Sequence, residues 1–330
     1  MSALPVAVLD RANAREDEAP EQTLAHVIDR ARHVERLGYR RFWVAEHHGV
    51  PGILGSTPTL LMAALAARTS RIRVGSGGVM VPAHQPLVVA EQVATLELLH
   101  PGRIDLGLGR SLGFTPAVRA ALRHDETAAE RFGDDITELQ SYLNGTAPIT
   151  AQPPNHARTP LFVLATRQGL EFAARAGLAV VLGGPGVRPD GSAVEHPGIA
   201  RYRKDFRPSA WFDAPYVIVA TNIAVADTTA AARDLLVPEA WALVASRRTG
   251  AFPPLISSEQ VAMINKSEQD VRRLTEHLAG GIHGTPDEVR RAVTDMINFT
   301  GADELLVTGD KYDHAAQLHS DALLINALST

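Results

Sequence analysis

The 330-residue chain contains no cysteine. Disulfides, thiolate metal centres and a cysteine nucleophile are therefore excluded. Aromatic residues are scarce at 5%, and 37 Asp and Glu outnumber 32 Lys and Arg, giving a formal charge of −5. A nucleic-acid binder would present a basic face with stacking rings, so no nucleic-acid partner is expected. No run of about 18 apolar residues occurs, and no membrane span is expected. Met1 to Asp10 lacks the basic flank of a secretory signal, which makes a cytoplasmic location the expectation. Internal repeats and low-complexity stretches are missing as well. The composition that remains, 45% apolar and 21% charged, is that of a globular chain long enough to bury a full core without staples.

Short β-rich runs alternate with amphipathic stretches. Leu4 to Leu9 reads as a first strand, followed by Leu24, Val27, Ile28, Ala31, Val34 and Leu37 on one helical face that Gly38 ends. Further strands are read at Arg41 to Ala45, Arg71 to Gly75, Arg103 to Gly109, Pro160 to Ala165, Leu178 to Leu182, Tyr216 to Val225 and Glu304 to Thr308. Helices fall between them, among them an apolar and hence well-buried one at Gln85 to Leu99. The helix before the last strand opens with Thr285, Pro286 and Glu288 in capping-box order. Eight β segments each followed by a helix match an α/β (β/α)8 TIM barrel with loop insertions, with a doubly wound sheet as the competing architecture. Residues 1–330 are read as one domain, with insertions at Pro148 to Pro160 and at Gly250 to Gly284, the latter a candidate mobile loop segment.

In a barrel the residues that follow the strands converge on one mouth. Glu46, His47 and His48 follow the second strand, Ser76, Gly77 and Gly78 the third, Arg110 and Ser111 the fourth, and Thr166, Arg167 and Gln168 the fifth. Adjacent residues of an extended segment point to opposite sides, so one histidine of the pair is expected to aim at the mouth. An imidazole is a natural proton handler near neutral pH, and the alternative is a packing histidine. No metal is expected, because no ligand spacing such as HExxH accompanies the pair. The glycines permit close backbone approach to a ligand, or mark a plain turn. GLGRSLG from Gly107 misses the dinucleotide fingerprint by one residue. Arg110, with Thr166 and Arg167 at a helix N-terminus, suggests a site for a phosphorylated cofactor.

Several longer motifs then become specific: EHH at 46–48, RIRVGSGGVMVPAHQPL from Arg71, PGRIDLGLGR from Pro101, GTPDEVRRAV from Gly284 and TGADELLVTGDKYDHAAQL from Thr300. In these the chain resembles the bacterial-luciferase-like flavin monooxygenases, close to the alkanal-monooxygenase-like branch. The resemblance spans nearly the whole chain and is weakest at 148–160 and 245–283. It implies a (β/α)8 barrel, a homo-oligomer, and reduced FMN or, in some branches, the deazaflavin F420. It implies a cis peptide at Gly77–Gly78 beneath the flavin ring, with Ser76 beside it. The FMN phosphate would lie at Arg110, Thr166 and Arg167, although Ala165 stands where luciferase has a glutamate. His47 takes the position of the catalytic histidine with His48 its neighbour, and Gly109 takes that of the family's reactive cysteine. The implied reaction uses dioxygen and a C4a-peroxyflavin to oxidise a small-molecule substrate, with His47 as acid/base and Glu46 orienting it. Gly250 to Gly284 would close over the site. No NAD(P)H fingerprint is visible, so a separate flavin reductase is the expected partner. Hydride transfer with F420 and a flavin-binding barrel without turnover are the alternatives, and a metal-dependent hydrolase comes last.

Overall fold

The computed structural model describes residues 4–123, 127–154, 159–165, 167–189, 191 and 193–329. Nine strands are found there: β1 (Val6–Asp10), β2 (Arg41–Val44), β3 (Arg73–Met80), β4 (Ile104–Gly109), β5 (Leu161–Leu164), β6 (Ala179–Gly183), β7 (Val217–Val225), β8 (Ile282–Gly284) and β9 (Glu304–Thr308). The helices are α1 (Pro20–Leu37), α2 (Pro58–Arg68), α3 (Pro86–Leu99), α4 (Pro116–Ala121), α5 (Phe132–Asn144), α6 (Arg167–Ala176), α7 (Pro197–Asp205), α8 (Thr229–Thr249), α9 (Ser258–Met263), α10 (Glu268–Gly280), α11 (Pro286–Thr300) and α12 (His314–Ser329).

Strands β1 to β7 and β9 pair in parallel, β6 pairs with β7, and β9 pairs with both β7 and β1. The sheet therefore closes on itself as a (β/α)8 TIM barrel, and the doubly wound alternative is excluded. Strand β8 stands outside the ring. It pairs with the far end of β7, Ile223 opposite Ile282. Six helices begin with a proline at an N-terminal position where its missing N–H has no partner to lose. At α11 the Glu288 carboxylate accepts the Thr285 backbone N–H at 2.9 Å, as the capping-box reading requires.

The segment 250–284 is built largely from α9, α10 and β8. Val261 of α9 and Leu278 of α10 pack with Leu236, Val237 and Trp241 of α8, and β8 extends the end of β7. The expected deep burial of α3 holds on one side only. Val89, Val93 and Leu96 are buried, while Val88, Leu98 and Leu99 are exposed, because a helix of the outer ring turns a single face to the barrel.

Side chains of alternate strand residues fill the barrel in layers. Ala7, Trp43, Phe162, Ala179, Ile218 and Leu306 form the apolar middle. Below them the N-terminal ends of the strands hold a buried charge network. Arg41 bonds Glu304 at 2.7 Å and Asp105 at 2.8 Å, Arg73 bonds Asp105 at 2.7 Å, and Tyr216 donates to Glu304 at 2.7 Å. Asp105 is thus paid for in charge by two guanidiniums, which hold its carboxyl below the usual range against the opposing effect of burial. The bottom of the barrel is sealed, and the mouth lies at the opposite end.

Candidate active site

The mouth begins with an irregularity between β3 and β4. Ser76 lies opposite Leu106 and Val79 opposite Leu108, so Gly77 and Gly78 together face the single residue Gly107. The Gly77–Gly78 peptide is cis. The fully buried Ser76 hydroxyl donates to the Gly107 carbonyl at 2.9 Å and accepts the Gly107 N–H at 3.0 Å, taking over ladder bonds that the bulge displaces. Of the three residues expected to face a cofactor here, Ser76 therefore has its side chain committed to the barrel wall. A Cβ on Gly107 would lie 2.1 Å from the Ser76 carbonyl oxygen, and one on Gly78 would lie 2.7 Å from that of Gly107. Only glycine allows the two strands to approach this closely.

Glu46 follows β2 and is buried. Its Oε1 accepts from Nε2 of His48 at 2.6 Å and Nε2 of His84 at 2.7 Å, and its Oε2 accepts the Met80 N–H at 2.7 Å. Burial alone would raise this carboxyl. The bonds from His84, Met80 and His48 outweigh it and hold the group below the ordinary glutamate value. The expectation that Glu46 orients His47 is corrected here. Residues 46 and 48 share one side of the extended chain, so Glu46 reaches His48 and not His47. One carboxylate and two imidazoles within 4.8 Å of one another form a set that could hold a divalent cation. In the observed geometry both Nε2 atoms point at one carboxylate oxygen, a hydrogen-bonded arrangement.

His47 takes the opposite side. Its backbone N–H donates to the Gly55 carbonyl at 2.8 Å, its ring stacks on Phe114 with centroids 5.6 Å apart, and its buried Nδ1 has no partner among the described residues. Burial, reinforced by the Arg11 guanidinium and His48 and opposed by Glu46, pushes the imidazole down to about 4. His47 is therefore neutral across the physiological range. Both His47 and His48 border a cavity of about 450 Å³ that also touches Arg11, Phe114, Arg247 and His277. The chain bends after His47, so the pair shares one cavity even though alternation separates the two rings along the strand.

Arg110 follows β4, and its Nε donates to the Ala129 carbonyl at 2.9 Å. It borders a second cavity, of about 700 Å³, with Phe132, Leu164, Phe172 and Gly169 of the first turn of α6. Thr166 and the side chain of Arg167 lie outside the described residues. The loop after β4 joins the two cavities: Arg110, Ser111 and Leu112 line one, and Phe114 and Thr115 line the other.

Sequence reasoning missed four groups: His84, Phe114, Arg11 and Lys311. His84 sits four residues beyond the end of β3, and Phe114 lies in the loop after β4. Arg11 follows β1 and forms an ion pair with Glu239 of α8. Asn222 of β7 donates to Glu239 at 3.0 Å and accepts from Nζ of the buried Lys311 at 2.9 Å. Burial and the nearby Arg30 push this ammonium down to about 7. For Arg11 and Lys311 the signal was available, since each directly follows a barrel strand or its closing turn.

A profile of the luciferase-like monooxygenases matches residues 5–304. A luciferase-like monooxygenase of Escherichia coli strain K12 is 34% identical over 326 residues, covering 97% of this chain and 95% of that protein. The crystal structure of apo-MsnO8 superimposes with a TM-score of 0.86 at 32% identity, covering 99% of this chain and 98% of the other. The oxygenating constituent of 3,6-diketocamphane monooxygenase from Pseudomonas putida, solved in complex with FMN, shares the fold at 16% identity with a TM-score of 0.71, covering 98% and 96%. The chain belongs to the luciferase-like monooxygenase family. Among the described residues no helix is long and apolar enough to cross a membrane.

Proposed function

We propose that the protein is a flavin-dependent monooxygenase that uses reduced FMN and dioxygen to oxidise a small organic substrate. The observation that carries this reading is His47, a neutral imidazole whose buried Nδ1 has no partner among the described residues, beside a substrate-sized cavity one loop away from the cavity of Arg110. The residues present fit a phosphorylated flavin. Arg110 and the first turn of α6 offer a guanidinium and a helix N-terminus to the phosphate. Thr166 and Arg167, which in sequence lead into that turn, complete the proposed phosphate site.

Bound reduced flavin would supply the reaction with dioxygen and the transfer of one oxygen atom. The protein supplies the surroundings. Neutral His47 accepts or passes a proton at Nδ1. The cluster of Glu46, His48 and His84 fixes the β2 and β3 loops against each other. Phe114 and the 250–284 segment, which reaches the cavity through Ala251, Phe252 and His277, exclude water. A separate reductase delivers the reduced flavin. Carbonyl compounds, which the sequence motifs suggested, are the first substrates to test. A second copy of the chain is the expected partner, docking on the exposed Val88, Leu98 and Leu99 of α3.

The test is to load the protein anaerobically with photoreduced FMN, mix it with dioxygen, and follow flavin reoxidation and hydrogen peroxide release. The reading expects bound flavin to reoxidise at a rate distinct from free flavin, and the His47→Ala variant to lose turnover by roughly 10²–10⁴-fold. Reoxidation indistinguishable from that of free FMN, or tighter binding of F420 than of FMN, would overturn it.

A further inference from the structure

The cavity beside His47 has a charge that the chain as a whole does not. The chain carries a net charge of −5, yet the cavity is bordered by Arg11, Arg247 and the three histidines His47, His48 and His277 and, among the described residues, by no aspartate or glutamate. Its other walls are apolar, with Val50, Ile53, Leu243 and Phe252 among them. Arg11 is already balanced by Glu239, which lies behind it and outside the lining. Arg247 is different. It forms no ion pair with another described residue, and it stands on the face of α8 that also presents Leu243, Ser246 and Gly250 to the cavity. Positions separated by three, four and seven residues share one side of a helix, so this placement follows from the helical repeat. The positive field also reaches the neighbouring rings. Burial lowers both His47 and His277, and in each case an arginine, Arg11 and Arg247 respectively, lowers it further.

We propose that this cavity selects a substrate with an apolar body and a carboxylate, the carboxylate held by the guanidinium of Arg247 and the body lying on the aliphatic and aromatic wall near His47. The volume of about 450 Å³ falls within the range of small-molecule sites. A guanidinium offers a planar pair of charged donors that a carboxylate meets with both oxygens, whereas an alcohol accepts a single bond without the charge and an ammonium accepts none. Assigning the cavity to the substrate rests on the proposed monooxygenase function, whereas the preference for an anion rests on the lining alone.

The experiment measures octanoate, octanol and octylamine binding to the full chain by calorimetry, with FMN titrated separately into the same preparations. The expected result is octanoate affinity at least about tenfold above that of octanol, with octylamine weakest. Arg247→Gln should abolish the preference for octanoate and Arg247→Lys should restore part of it, with unchanged thermal unfolding as the control for folding. Octanoate binding no tighter than octanol, or a preference that survives Arg247→Gln, overturns the proposal. Saturable FMN binding without an octanoate preference removes the anion site and leaves the flavin reading intact. An octanoate preference without FMN binding does the reverse.

Discussion

His47 shows how neighbours set the chemistry of a single side chain. Its imidazole lies between burial and the Arg11 guanidinium, both favouring the neutral form, and folding holds it near 4 against an ordinary value of 6.5. Between these two values the unfolded chain binds a proton that the folded chain releases, so this residue's contribution lowers stability as pH falls through that window. The expected measurement is a His47 ring-proton titration by NMR with its midpoint near 4, and a midpoint near 6.5 would show that the pocket is open to water. An activity profile of the enzyme should correspondingly show no acid limb from His47 near pH 6.5. The Glu46 cluster is the opposite case. There a buried carboxylate is kept charged by three donors, and its bonds tie the segments after β2 and β3 together.

Among the elements, the strands and helices were legible because local signals agree with the fold. Prolines mark helix starts, Gly38 takes a positive φ of 87° at the end of α1, and apolar residues recur with helical spacing. Strand β8 was not legible. Three residues pairing only with the end of β7 carry no periodicity. The β3 bulge was visible as a run of glycines, but its partner was not, because the contact with Gly107 is a tertiary one. The partners of Glu46 were half legible: alternation in the extended segment after β2 gives His48, while His84 arrives from the loop after β3. The bulge makes a direct prediction. Gly107→Ala should destabilise the fold by about 3 kcal/mol or prevent folding, since the added carbon meets the backbone of Ser76. Gly109→Ala, whose nearest obstacle is 3.5 Å away, should unfold within a few degrees of the parent in a thermal melt. Equal melting temperatures for the two variants would show that β3 and β4 do not approach as described.

Over the whole molecule, polarity divides by end of the barrel. The ion network of Arg41, Arg73, Asp105 and Glu304 closes the N-terminal end, an apolar layer follows, and chemistry-bearing groups collect at the C-terminal rim. The alternation of strands and helices made this rim readable from sequence, because residues that follow strands must gather there. The charged plug was not readable, since Asp105 acquires Arg41 and Arg73 as partners only when β2 and β3 close beside it. The outer face makes a prediction of its own. If a second copy covers α3, the double variant Leu98→Glu and Leu99→Glu should run as a monomer by light scattering where the parent runs as a dimer, and an unchanged mass would place the contact elsewhere. The central claim concerns the rim, and its most direct test is an FMN titration of the parent and of Arg110→Gln, followed by flavin fluorescence. The account predicts saturable binding by the parent and at least about tenfold weaker binding by the variant, a loss of about 1.4 kcal/mol. Absence of saturable binding, or equal affinity in both proteins, would contradict it.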